Sequence, residues 1–172
     1  MIDKTAITYR LAAYSADFRW DGESPIPSHR RLSDFLNDPR TVALVLNHAT
    51  PATWEGGAYS ELSKTECIAL PKRNLLFIVS KTDAPLPPAS RYERVPKEPF
   101  QVIMYIPPFT LTGRISIPHN ADWLNMATSA SEDFFPVTQV SVWHIRARAK
   151  LETDAKLVLV NWKWLVGLEP KR

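Results

Sequence analysis

The sequence predicts a mainly β chain made of two tandem small units, each with one short helix, related by a pseudo-twofold duplication. Three observations carry this. Proline is abundant and glycine scarce, apolar residues recur with period two, and one order of segments occurs twice. The units are expected to be SH3-like or Sm-like barrels, or halves of a larger sandwich.

Fifteen prolines stand against five glycines in 172 residues. Proline removes a backbone donor and disfavours helix interiors, so the count points to short strands, edges and bends. Apolar residues make up 45% of the chain, enough for a core. Cys67 is the one cysteine, which excludes an internal disulfide. The start, Met1-Ile2-Asp3-Lys4, has no basic stretch followed by an apolar run, and no run is long enough to insert in a bilayer. A soluble protein of the reducing cytoplasm is expected.

The first strand is expected along Thr5, Ile7, Tyr9, Leu11 and Ala13, whose alternation suits a half-buried sheet. Gly22 follows Phe18-Arg19-Trp20-Asp21 and is expected in a tight turn before Ile26-Pro27. Ser33 then caps one helical turn, Asp34-Phe35-Leu36, with Asn37 at a left-handed exit. Phe35 is expected to plug the base of its unit. Strands follow, closing with Leu75, Phe77 and Val79.

The same order returns. Phe109-Thr110-Leu111-Thr112-Gly113 and Ile117-Pro118 match the first glycine segment 91 positions on. Ala121-Asp122-Trp123-Leu124-Asn125 matches Ser33-Asp34-Phe35-Leu36-Asn37, giving Trp123 the role of Phe35. Trp164, Val166 and Leu168 match the closing strand. Phe100, Val102, Met104 and Ile106 form a strand ending at Pro107-Pro108, and Val158 to Leu168 reads as one alternating strand. Residues 83–99, dense in proline, are the connection. The units are thus 1–82 and 100–172.

Glycine, proline and then Leu32-Ser33-Asp34-Phe35-Leu36-Asn37 resemble a group of uncharacterised bacterial domains containing an L-S-D-x-L-N stretch. The resemblance covers about twenty residues, and the second copy departs from it at Ala121 and Trp123. It implies no chemistry and transfers no site residues.

Catalytic and cofactor patterns are missing. Five glycines, at 22, 56, 57, 113 and 167, form neither a nucleophile elbow nor a phosphate-cradling loop. His29, His48, His119 and His144 lie apart without metal-ligand spacing. Glu132-Asp133 reads as a solvated loop, Asp34 and Asp122 as helix-start residues, and Cys67 as a buried structural thiol. No enzyme, metal or cofactor is expected.

Two basic features remain. From Ser141 to Leu151 the even positions are His144, Arg146, Arg148 and Lys150, which in a strand share one face at about 6–7 Å intervals, able to track a phosphate backbone. The alternative is a charged edge that blocks pairing. Arg30 and Arg31 precede the first short helix, where an anion would find two guanidiniums beside free amides. The net charge of +3 is carried entirely after Leu86, short of the clustering of a dedicated nucleic-acid binder.

The functional expectation is an interaction or scaffold protein that associates with itself or with a protein partner through open β edges, its six tryptophans serving partly at interfaces. The alternative is a nucleic-acid-binding module using the His144–Lys150 face.

Overall fold

The computed structural model describes residues 6–82, 97–119, 125 and 132–171. The chain divides into two units, Met1–Ser90 and Arg91–Arg172. The architecture is mainly β, and the strand pairings within each unit are antiparallel.

In the first unit β1 (Ala6–Tyr14) and β2 (Phe18–Pro27) form a hairpin, followed by helix α1 (Leu32–Asn37). The long β3 (Ala43–Glu55) pairs with β2, and its other side takes β4 (Ala58–Glu61) and β5 (Thr65–Pro71) in succession. A 3-10 turn, Lys72–Asn74, leads to β6 (Phe77–Ser80), which returns to pair with β1. Leu11, Ile26, Leu44, Leu46, Leu75 and Ile78 are buried here.

In the second unit β7 (Lys97–Ile106) and β8 (Phe109–Pro118) form the hairpin, and β9 (Phe134–His144) pairs with β8. On its other side β9 takes β10 (Ala149–Ala155) and β11 (Leu157–Asn161). A 3-10 turn, Trp162–Trp164, leads to β12 (Gly167–Pro170), paired with β7. Val102, Met104, Leu111, Val137, Val142 and Val160 are buried.

The registers of the two units correspond. Leu11 faces Gly22 as Val102 faces Gly113, and Phe18 faces Thr53 as Phe109 faces His144. Each second strand has a register shift beside its glycine, between Asp21 and Glu23 and between Thr112 and Arg114. Opposite each lies a residue of positive φ, His48 at 50° and Gln139 at 51°. An extra residue in one strand bends it and lets the sheet coil over its own core.

Several expectations are corrected. Gly22 and Gly113 sit inside strands, not in tight turns, because the bend brings β3 and β9 against their α-carbons. A Cβ on Gly22 would lie 3.1 Å from Leu46 Cβ, and one on Gly113 would lie 2.7 Å from Val137 Cγ1. Helix α1 has Arg31 rather than Ser33 at its N-cap, with Asp34 Oδ2 accepting from the Arg31 amide at 3.3 Å. Asp38 leaves it in extended conformation, so Asn37 provides no left-handed exit. Leu32 and Leu36 are buried while Phe35 is only half-buried, so the plug is leucine on the adjacent face of the turn.

The stripe from Val158 to Leu168 is not one strand, since the 3-10 turn divides it and leaves Trp164 and Val166 44% and 71% exposed. Lys97 to Pro99 already belong to β7, opposite Pro118 to Ser116, which shortens the connection placed at 83–99. Trp123 and most of the second expected helix lie outside the described residues.

Candidate functional site

The strand expected from Ser141 to Leu151 is a hairpin. β9 ends at His144, residues 145–148 turn, and β10 begins at Ala149. Arg148 holds φ of 50° in that turn. His144, Arg146, Arg148 and Lys150 therefore do not share one strand face. His144 is buried, meets the Phe109 ring edge-on at 5.5 Å, and accepts at Nδ1 from the Ala147 amide at 3.2 Å. Arg146 and Arg148 are exposed on the turn, and Lys150 is exposed on β10.

The reversal originates at Gln139. Val137 is buried, and so are Val140, Val142 and His144, so the inward phase shifts by one residue across the bulge. The apolar Trp143 and Ile145 are 41% and 46% exposed.

That inversion assembles a surface that the alternation of the sequence conceals. Directly opposed residues of an antiparallel pair project to the same face. Gly167 faces Tyr105, Tyr105 faces Thr110, Thr110 faces Trp143, and Trp143 faces Lys150. This rung crosses five strands of the second unit, from β12 to β10. Lys150 Nζ lies 5.7 Å from the centre of the Trp143 ring. The Tyr105 hydroxyl donates to Glu169 Oε1 at 2.8 Å, and that carboxylate raises the phenol pKa above its ordinary value. Tyr105 is 36% exposed, and a Cβ on Gly167 would stand 3.3 Å from its ring, so glycine leaves room for the ring to lie across β12.

Four residues along β8 the same face turns cationic. Arg114 faces Gln101, and the Lys171 amide donates to the Gln101 carbonyl. These residues line a shallow depression of about 310 Å³ with Thr112, Ser141 and Asp154. The first unit has a depression at corresponding positions, lined by Arg10, Asp21, Glu23, His48, Thr50 and Lys81.

The first unit lacks the open aromatic rung. Tyr14, in the place of Tyr105, is buried and stacks on Phe77 at 4.5 Å, while Tyr59 meets it edge-on at 6.0 Å. The Arg19 guanidinium lies 5.0 Å from the centre of the Tyr59 ring. Burial pushes the Tyr59 phenol up to about 12.

Arg30 and Arg31 sit apart in their bonding. Arg30 Nη2 donates to Asp38 Oδ2 at 2.7 Å, and Arg40 donates to both oxygens of the same carboxylate, so Arg30 is engaged at home. These bonds, from Arg40 first, hold Asp38 far below the usual carboxylate range. Arg31 supplies the helix cap and is exposed. Cys67, expected inside, is exposed on β5 opposite Asn47.

Among the described residues no three His, Cys, Asp or Glu side chains group closely enough to hold a metal, and no helix is long and apolar enough to cross a membrane. Comparison with known proteins finds no match: no family model, curated protein or solved structure is similar to this chain.

Proposed function

We propose that the chain is a non-catalytic interaction protein made of two copies of one SH3-like β unit, and that it associates with itself edge to edge. What supports the duplication is the shared pairing order, the glycine and bulge at matched registers, and a 3-10 turn before each last strand. The return of that last strand to the first supports the SH3-like reading.

The observation that carries self-association is an unguarded edge on the first unit. Among the described residues β5 pairs with β3 alone, and β12 with β7 alone. Protected edges carry charge or proline to block further pairing. Thr65-Glu66-Cys67-Ile68-Ala69-Leu70-Pro71 has one charge and reaches proline only at its end. Beside it Val45, 41% exposed, faces Ala69, and Val42 is 76% exposed. A second copy brings the same β5 edge, which can pair with it antiparallel about a twofold axis.

The test is light scattering coupled to chromatography over a range of concentrations. The native chain is expected to form oligomers. Ala69→Lys with Val45→Lys is expected to give monomers of unchanged circular dichroism. A native chain that stays monomeric at every concentration overturns the reading.

A further inference from the structure

We infer that the outer face of the second unit binds single-stranded nucleic acid, an activity separate from the self-association proposed above. Trp143 and Tyr105 lie on one rung, two strands and so about 10 Å apart, 41% and 36% exposed. Bases of a single strand stack on such platforms whatever their sequence, since every base has a π face.

Cations flank the rung on two sides. Lys150 sits over Trp143, with Arg146 and Arg148 on the adjoining turn. Arg114 stands about 13 Å away along β8, with Lys171 beside it. Three carboxylates share this region: Glu169 is bonded to Tyr105, Asp154 lines the depression, and Glu152 lies on β10. Five cations against three anions leave the face positive.

The pattern distinguishes between polyanions. A nucleic-acid strand offers a planar ring and a phosphate in every nucleotide, which suits aromatic rings bordered by cations. An acidic peptide supplies the charge without the rings. A duplex keeps its base faces inside the stack, where Trp143 and Tyr105 do not reach them.

Fluorescence anisotropy with a labelled oligothymidylate of about 15 nucleotides tests this in the full-length protein. Binding at low salt is expected, with Trp143→Ala weakening it about tenfold. Combined Arg146→Gln, Arg148→Gln and Lys150→Gln is expected to reduce the slope of log affinity against log salt by about 0.7 for each phosphate no longer neutralised. These three side chains lie on an exposed hairpin, so this variant keeps its fold even if Trp143→Ala does not. The Ala69→Lys, Val45→Lys variant is expected to bind the strand like the native chain, which separates this activity from self-association. Absence of binding at low salt, an affinity indifferent to the triple substitution, or equal competition by polyglutamate or by duplex of the same charge overturns the inference.

Discussion

Burial of His144 at the end of β9 makes the hairpin that follows it sensitive to acid. Its Nδ1 accepts the Ala147 amide, a role open only to an unprotonated nitrogen. Burial first, and the Arg146 charge second, lower its pKa below the ordinary value. An unfolded histidine titrates near 6.5, so between that value and the lowered folded one the unfolded chain binds the extra proton. The contribution of His144 is therefore present in full above about pH 6.5 and is lost as pH falls below it. Urea midpoints of the native chain should drop between pH 8 and pH 5 more steeply than those of His144→Gln, which does not titrate. Equal slopes would show that His144 has no part in the acid response. Alternation alone places His144 on a solvated face, because nothing in the neighbouring residues announces that the strand ends there and turns.

At the scale of elements, α1 shows what a short pattern reveals and what it conceals. Ser33 to Asn37 is legible as a helical turn, but two apolar side chains within that turn do not fix which face meets the core. Leu32 and Leu36, one turn apart, are buried together, and Phe35 lies aside. Lys72 Nζ donates to the carbonyls of Leu36 at 2.6 Å and Asp38 at 3.0 Å, which satisfies acceptors at the helix end from 36 and 34 residues away. Such a partner is invisible to local reasoning. Leu36→Ala should cost about 2–5 kcal/mol through lost burial and a cavity, and Phe35→Ala distinctly less, as read from denaturant midpoints. The opposite ranking would return Phe35 to the role the sequence suggests. In β9 the concealed feature is the bulge. His48 and Gln139 occupy left-handed backbone without being glycine, so nothing in their chemistry announces a change of phase, and strict alternation puts every side chain from Val140 to Ile145 on the wrong side.

At the scale of the whole molecule, the spacing of like segments is more legible in the sequence than local structure. Phe18 to Gly22 and Phe109 to Gly113 match in spacing, and their strands hold matching registers, although both glycines lie within strands and not in turns. The closing strands correspond one residue later than the apolar stripe implies: Tyr14 faces Phe77 as Tyr105 faces Gly167. Tryptophans in the 3-10 turn imitate strand alternation there. The duplication proposed above makes a paired claim about the glycines. Each lies where a second strand bends against the third, and the space available for a Cβ differs. At Gly22 the nearest atoms, the Asn47 carbonyl oxygen and Leu46 Cβ, stand at 3.1 Å, so Gly22→Ala forces a shift of a few tenths of an ångström. At Gly113 the methyls of Val137 and Val140 stand at 2.7 and 2.9 Å, close enough that β8 and β9 must part or both valines must turn. Neither glycine has positive φ, so crowding alone drives the effect. Both substitutions should destabilise, Gly113→Ala by about 1–3 kcal/mol and Gly22→Ala by less. Gly22→Ala should speed amide exchange in β2 and β3, and Gly113→Ala in β8 and β9. If either variant proves as stable as the native chain, the two glycines do not perform the same task and their common register loses its force as support for one duplicated unit.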